Sequence, residues 1–203
     1  MKLIGMLDSP YVRRVAISAK RLGIPLEHQS VSVFRHFEQF QQINPVVKAP
    51  TLVLDDGEVL IDSTLILDYL EALAGPSNSL MPRDLKQRLR SLRLIGLALA
   101  ACEKSVQLYY ERNLRPAEIQ FEPWVERVEG QLAAAYSALE RELEMQPLKT
   151  DGTIAQDGIT LAVAWSFTHL VVPDQVDENR FPQISAFTAY AERLEEFVST
   201  PIE

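Results

Sequence analysis

The period of the apolar residues changes once along this chain, at the turn-rich run Gly75-Pro76-Ser77-Asn78-Ser79, and that change limits the fold to two unlike halves. Before it, strand-like and helical patterns alternate. KLIGML (Lys2 to Leu7) reads as a strand, and Val12, Val15, Ala16, Ala19 and Leu22 mark a helix that stops at Gly23. A second strand is expected over Leu26 to Val33, then a short amphipathic piece carrying Phe34, Phe37, Phe40 and Ile43. TLVL and EVLI flank Asp55-Asp56-Gly57, a hairpin turn whose glycine can take positive φ, and a helix over Leu65 to Leu73 closes the half. The order β-α-β-α-β-β-α is that of an α/β domain over residues 1–75.

After a linker at 76–84 the strand pattern nearly disappears. Leu85, Leu89, Leu92, Ile95, Leu99, Cys102, Val106 and Tyr109 recur every three or four residues, and so do Phe121, Val125, Val128, Leu132, Ala135, Leu139 and Leu143. These are two long amphipathic helices, expected to pack antiparallel. ITLAVAWSFTHL (Ile159 to Leu170) is apolar nearly all round, as a buried central helix is. A last helix is expected from Ile184 through Val198, with Pro182 near its start. Residues 85–203 therefore form an all-helical bundle domain, and the fold class is α/β plus all-α.

A chain of 203 residues is long enough to give both halves a core. With 20 basic against 28 acidic residues, its net charge of -8 argues against nucleic acid or an anionic membrane as partner, since phosphate neutralisation needs clustered cations. The one basic concentration, Lys86, Arg88, Arg90 and Arg93, has the spacing of a solvated helix face. Cys102 is the single cysteine, so there is no disulfide framework; it lies on an apolar stripe and belongs to the core. His28, His36 and His169 lack metal-ligand spacing, and no metal is expected. No apolar run reaches the roughly 20 residues of a membrane span. Without a secretion signal, the cytoplasm is the expected compartment.

Three short motifs stand in order on this framework: SPYVRR (Ser9 to Arg14) after the first strand, NPVVKAP (Asn44 to Pro50) before the hairpin, and Asp62-Ser63 opening a helix. With the helical half behind them they resemble a cytosolic glutathione transferase over nearly the whole chain, most of all the bacterial serine-type members related to the theta and zeta classes. The resemblance implies a thioredoxin-like first domain that binds glutathione as cosubstrate. It further implies a helical second domain that shapes a pocket for a small hydrophobic electrophile, and a homodimer.

Ser9 has two readings. By itself it is a helix N-cap followed by Pro10 at the first helical position. By resemblance its hydroxyl donates to the glutathione sulfur at the positive end of a helix. Lowering a thiol from about 8.5 to about 6.5 needs roughly 2.7 kcal/mol and raises the thiolate fraction at pH 7 from about 3% to about 75%. A hydrogen bond to a charged group supplies roughly 1.5–3 kcal/mol, and a helix terminus adds about 0.3–1. The serine need not ionise. Tyr11 falls inside the first helical turn and is read as packing or pocket lining. Arg13 and Arg14 read as solvent-facing helix charges, although in the family an arginine near here helps to hold the helix and active-site loop.

The remaining assignments also follow from the resemblance. Pro50 is implied to be cis, so that Ala49 offers its backbone N–H and C=O to the cysteinyl part of glutathione like an added strand. Lys48, otherwise a loop surface charge, approaches the glycyl carboxylate. Asp62-Ser63 reads as a helix cap on composition alone; by resemblance Asp62 pairs with the γ-glutamyl ammonium and Ser63 takes its carboxylate. The commoner acid there is Glu, and Asp shortens the reach. Tyr109, Tyr110 and Arg112 are the candidates for the second-substrate pocket. Thr160-Leu161-Ala162-Val163 is matched to the Ser/Thr-x-x-Asp start of the buried helix, with Thr160 as its cap and Val163 in the acidic place. Three functions are compatible: thiolate attack on an electrophilic carbon or peroxide, glutathione-dependent peroxidase or disulfide reductase chemistry, and a non-catalytic glutathione-binding or regulatory protein of the same fold.

Overall fold

Four short strands form one mixed sheet in the order β2-β1-β3-β4. The central strand β1 (Lys2–Ile4) runs parallel to β2 (Glu27–Gln29) and antiparallel to β3 (Thr51–Val53), which pairs with β4 (Val59–Leu60). Side chains alternate across a strand, so Leu3 and Ile4 face opposite sides. Leu3 lies beside Ala16 and Ala19 of helix α1 (Pro10–Arg21), which packs on α3 (Ser63–Ala74). Ile4 joins Val31 and Phe40 in a buried cluster on the other face, where α2 (Phe37–Ile43) lies. This is the layered α/β unit that the sequence pattern predicts. The computed structural model describes residues 1–202 and divides into two units: Met1–Leu80 with the segment from Leu194 onward, and Met81–Arg193. Position 203, the expected end of the helical domain, lies outside the described residues.

Besides strands shorter than expected, with β1 ending at Ile4 and not Leu7 and β4 reduced to Val59–Leu60, the first unit departs from the sequence reading in two places. The strand expected over Leu26 to Val33 is only three residues long. Leu26 and Val31 stand an odd number of positions apart and cannot share a strand face; Val31 leaves the ladder to pack against Ile4 and Phe40. Arg13 and Arg14, read as solvent-facing, are each 2% exposed. Helix α1 is buried nearly all round, and its arginines reach polar partners on other elements of the same unit: Arg13 donates to the Thr200 carbonyl and Arg14 to the Ser63 hydroxyl.

The second unit is helical. Helix α4 (Leu85–Asn113) packs on α5 (Glu122–Met145) and on α6 (Gln156–Val171), and α7 (Pro182–Ala191) covers α5 and α6. As the all-round apolar pattern predicts, α6 is the buried centre. Its polar groups are satisfied from neighbouring helices: Ser91 of α4 donates to Asp157, and the Tyr136 hydroxyl of α5 donates to the Ala164 carbonyl while sharing a hydrogen bond with Thr168. Burial pushes the Tyr136 phenol far above its ordinary range, so it stays protonated as a donor. Glu140 of α5 receives the Gln183 and Ile184 amides and so caps α7 from outside.

Two expectations about this unit are corrected. The buried helix begins at Gln156, not at Thr160, whose hydroxyl donates back to the Gln156 carbonyl one turn earlier. The acid of its first turn is Asp157, which accepts from the Gly158 amide. The last helix is also not continuous. It ends at Ala191, Leu194 is extended, and a short helix α8 (Glu195–Val198) packs on α1 in the first unit.

Gly5, just after β1, has φ +137°, and a Cβ built there would stand 2.6 Å from Val12 Cγ2 and 3.1 Å from the Ala49 side chain. Gly5→Ala is therefore expected to destabilise the protein by roughly 2–4 kcal/mol, combining an unfavourable φ with a steric clash. Thermal denaturation should show a Tm lower by roughly 5–15 °C. A Tm within about 2 °C of wild type would show that this tight approach is not required.

Candidate functional site

Ile4 pairs with Thr51, so the end of β1 lies beside the start of β3, and the segments that carry Ser9 and Pro50 leave the sheet at the same edge. The approach of Gly5 to Ala49 and Val12 brings the β1 exit, the proline loop and α1 into contact. Arg14 Nη1 donates to Ser63 Oγ at 3.2 Å and to Thr64 Oγ1 at 3.4 Å, which ties the first turns of α1 to the start of α3. Ser9, Ala49, Pro50 and Ser63 are therefore carried by elements that meet at one edge of the first unit.

At Ser9 the two readings separate. The residue is extended, with φ −70° and ψ 122°, and its carbonyl accepts from the Val12 and Arg13 amides. Its side chain makes no capping hydrogen bond, and it is only half-buried. The serine occupies the N-cap position with its backbone while its hydroxyl is not spent on the helix. Pro10, which has no N–H, stands at the first helical position as expected.

The Ala49–Pro50 peptide bond is cis. Pro50 is buried, Ala49 half-buried and Lys48 exposed. Asn44, 3% exposed, holds this loop: its Nδ2 donates to Thr51 Oγ1, its Oδ1 accepts from the Val46 amide, and Thr51 Oγ1 in turn donates to the Lys48 carbonyl. Asn44 and Thr51 thus shape the turn that presents Ala49. Sequence reasoning did not single them out as positioning residues, although both lie in or beside the NPVVKAP motif.

Asp62 caps α3, its Oδ1 accepting from the Thr64 amide at 2.8 Å and the Leu65 amide at 3.3 Å. The Ile61–Asp62 peptide bond is also cis. Ser63 is buried beside Arg14. The helix-cap reading of Asp62 therefore holds, and its exposed carboxylate still presents negative charge at the unit's surface.

The sequence of the first unit is matched over residues 3–78 by the family description glutathione S-transferase, N-terminal domain. Across nearly the full length, the chain is 31% identical to rat (Rattus norvegicus) glutathione S-transferase theta-2, over 98% of this chain and 82% of that protein. The chain belongs to the glutathione transferase family. It is also 31% identical to the uncharacterized GST-like protein YibF of Escherichia coli (strain K12), over 80% of this chain and 76% of that protein. Among solved structures, a glutathione transferase family member from Pseudomonas fluorescens Pf-5 with bound glutathione has a TM-score of 0.86 at 30% identity, covering 100% of this chain and 98% of that one. The architecture is accordingly the family's, a thioredoxin-like domain followed by a helical domain.

The three remaining candidates of this transferase lie in the last turns of α4. Tyr109 and Tyr110 are exposed, with ring centroids 6.3 Å apart and tilted by 59°. Arg112 forms a two-pronged ion pair with Glu122, 2.9 Å at each nitrogen, which holds the Glu122 carboxyl below its usual range. Its guanidinium already has an anionic partner, whereas the two tyrosines offer open aromatic surface. On the same turn of α4 Glu111, 7% exposed, receives the Phe121 amide on one oxygen and Arg115 on the other. It stitches the loop before α5 back onto α4. Among the described residues, no cluster of histidine, cysteine or carboxylate side chains is arranged to hold a metal, and no helix is long and apolar enough to cross a membrane.

The Phe121 amide first, and then Arg115, hold the Glu111 carboxyl below its ordinary 4.5 against the opposing cost of desolvation. A carboxylate whose pKa is lower in the folded state stabilises the fold above its unfolded pKa and loses that contribution as the pH falls through the folded value. Comparing wild type with Glu111→Gln by thermal denaturation should give a constant Tm advantage for wild type above about pH 5. The advantage should shrink as the pH drops below 4.5. A difference that stays flat down to pH 3 would mean that the carboxylate charge is not what the loop uses.

Proposed function

We propose that this protein is a glutathione transferase that binds glutathione on its first unit and activates it through Ser9. The observation that carries this reading is the Ser9 hydroxyl, which stands at the N-terminus of α1 without serving as the helix's cap. A donor held there meets the two needs of a thiolate: a hydrogen bond to the charged sulfur and the positive end of a helix behind it. The glutathione-bound relative from Pseudomonas fluorescens Pf-5 supports the choice of ligand. In this reading, Ala49, set by the cis Pro50, pairs its backbone with the cysteinyl part of the tripeptide. Lys48 faces the glycyl carboxylate. Asp62 receives the γ-glutamyl ammonium, and Ser63 takes the γ-glutamyl carboxylate at the start of α3. The thiolate then attacks a small electrophile, with Tyr109 and Tyr110 as the aromatic surface on offer and Arg112 kept by Glu122.

The same reading includes a homodimer. Leu85, Leu89 and Leu92 are 81%, 67% and 51% exposed and recur at helical spacing on one face of α4. A contiguous apolar stripe of that kind favours a second copy of the chain as cover.

Ser9→Ala is expected to lower kcat at least about tenfold, the loss of a charge-assisted hydrogen bond, while the glutathione Kd changes by less than about twofold. Ultraviolet thiolate absorbance of the glutathione complex at pH 7 should fall with it. An unchanged rate would transfer activation to another donor, and failure of wild type to bind glutathione at millimolar concentration would leave a non-catalytic regulatory protein of the same fold.

Asp62→Asn separates the acid's two roles, because Asn caps a helix about as well as Asp. Its Tm should stay close to wild type, whereas glutathione affinity by calorimetry should drop about tenfold or more with the loss of the charge. Unaltered affinity would leave Asp62 as a helix cap alone.

A further inference from the structure

Helix α1 carries three cations on one side, Arg13, Lys20 and Arg21, and all three bind the segment that follows Leu194. Arg13 Nε donates to the Thr200 carbonyl at 2.9 Å, and its guanidinium lies 5.4 Å from the centre of the Phe197 ring. Lys20 Nζ donates to the Ser199 carbonyl at 3.0 Å and its hydroxyl at 2.7 Å. Arg21 pairs with Glu196 at 3.1 Å. The segment is braced from within: the Ser199 hydroxyl donates to the Glu195 carbonyl, and the Thr200 hydroxyl to the Glu196 carbonyl. Phe197 and Thr200 are 1% and 3% exposed.

This contact is not a packed core face throughout. A cavity of about 220 Å³ lies among Leu3, Ala16, Ala19, Lys20, Ser199 and Thr200. Where side chains do not interdigitate, directed polar ties set the position of the elements. The tie nearest the functional end of α1 is the one through Arg13. Its own amide donates to the Ser9 carbonyl at 2.9 Å, so one residue holds the 194–202 segment with its side chain and Ser9 with its backbone.

We propose that the 194–202 segment is a brace that sets the position of the Ser9 hydroxyl, with Arg13 as the positioning residue that transmits it. The proposal rests on the serine-activation reading above. Arg13 does not touch the reacting sulfur; it fixes the first turn of α1, and with it the direction in which Ser9 presents its donor. Loosening the tie should weaken the hydrogen bond to the thiolate and leave the binding of the rest of glutathione in place, since Ala49, Asp62 and Ser63 belong to other elements.

The test compares wild type, Ser9→Ala, Arg13→Gln, Arg13→Lys and Arg21→Gln by thiolate absorbance of the glutathione complex, by kcat and glutathione Kd, and by thermal denaturation. Arg13→Gln is expected to lose half or more of the thiolate signal at pH 7 and about tenfold in kcat, with Kd within about twofold. Arg13→Lys, which keeps the charge over Phe197 and a donor for Thr200, should recover most of both. Arg21→Gln, at the far end of the helix, should lower kcat by about threefold and the thiolate signal by less than Arg13→Gln does, with Kd again within about twofold. A lowered Tm with wild-type thiolate signal and kcat in Arg13→Gln would overturn the brace and make the tie purely structural. If Arg13→Gln does not fold, Arg21→Gln decides in the same way, an unmoved thiolate signal counting against the proposal. If Ser9→Ala keeps the full signal, the serine reading itself fails and the brace fails with it, whereas loss in Ser9→Ala with no change in the arginine variants rejects the brace alone.

Discussion

The antiparallel pairing of β1 with β3 is the constraint on which the first unit depends. With Ile4 opposite Thr51, the chain leaving β1 and the chain entering β3 are forced to one edge of the sheet. Only a glycine fits at the exit, because Val12 and Ala49 approach within the space a Cβ would occupy. The entry is shaped by a polar chain, Asn44 to Thr51 to the Lys48 carbonyl, that is buried along with the proline it serves. Two strands of three residues each thus determine where α1 starts and where the proline loop turns. A one-residue slip in their register would move Leu3 and Leu52 off the α1 face and carry both loops away from each other.

The same economy governs the buried charges. Arg13 and Arg14 sit in a helix with almost no solvent-facing side, yet each reaches acceptors at another element's terminus: the Thr200 carbonyl after α8, and the hydroxyls at the start of α3. In the second unit Glu140 receives the opening amides of α7, and Glu111 the amide of Phe121 before α5. Helix and loop termini carry backbone groups that would otherwise need water, and a charged side chain from a neighbour satisfies them with a stronger bond than a neutral one could. These charges therefore mark where elements are joined, and they are costly to remove one partner at a time.

What was legible in the sequence follows from how far each determinant reaches along the chain. Periodicity over ten or more residues located the long helices and the buried α6, because burial of a whole stripe leaves a repeated trace. Gly23 and Gly57, both at positive φ, fall where the helix stop and the hairpin turn were expected. The motifs SPYVRR, NPVVKAP and Asp62-Ser63 together pointed to the family. What was not legible depends on contacts between residues far apart in sequence. Nothing local distinguishes Arg13, whose partner is 187 positions away, from an exposed helix arginine. Likewise the break between α7 and α8 is invisible to a pattern in which Leu194 and Val198 keep the helical spacing. Thr160 misled for the opposite reason: a threonine before an apolar run is a start signal only if its hydroxyl faces an unbonded amide, and here it bonds the carbonyl one turn back.

Asp62 shows how a structural role and the proposed binding role fit in one side chain. Both capping bonds fall on Oδ1, so the second oxygen takes no part in closing α3. On the proposed reading, an ammonium approaching that oxygen meets a carboxylate whose charge is already partly engaged by the helix's own positive end. Capping orients the group and lowers the entropic cost of binding, while the shared charge and the short side chain weaken the pair itself. A glutamate at this place would reach farther from the helix and hold more of its charge for the ligand, at the cost of a poorer cap. On that reading the acid in this chain favours a preorganised contact over a strong one, and the chemistry of the sulfur is left to the helix that bears Ser9.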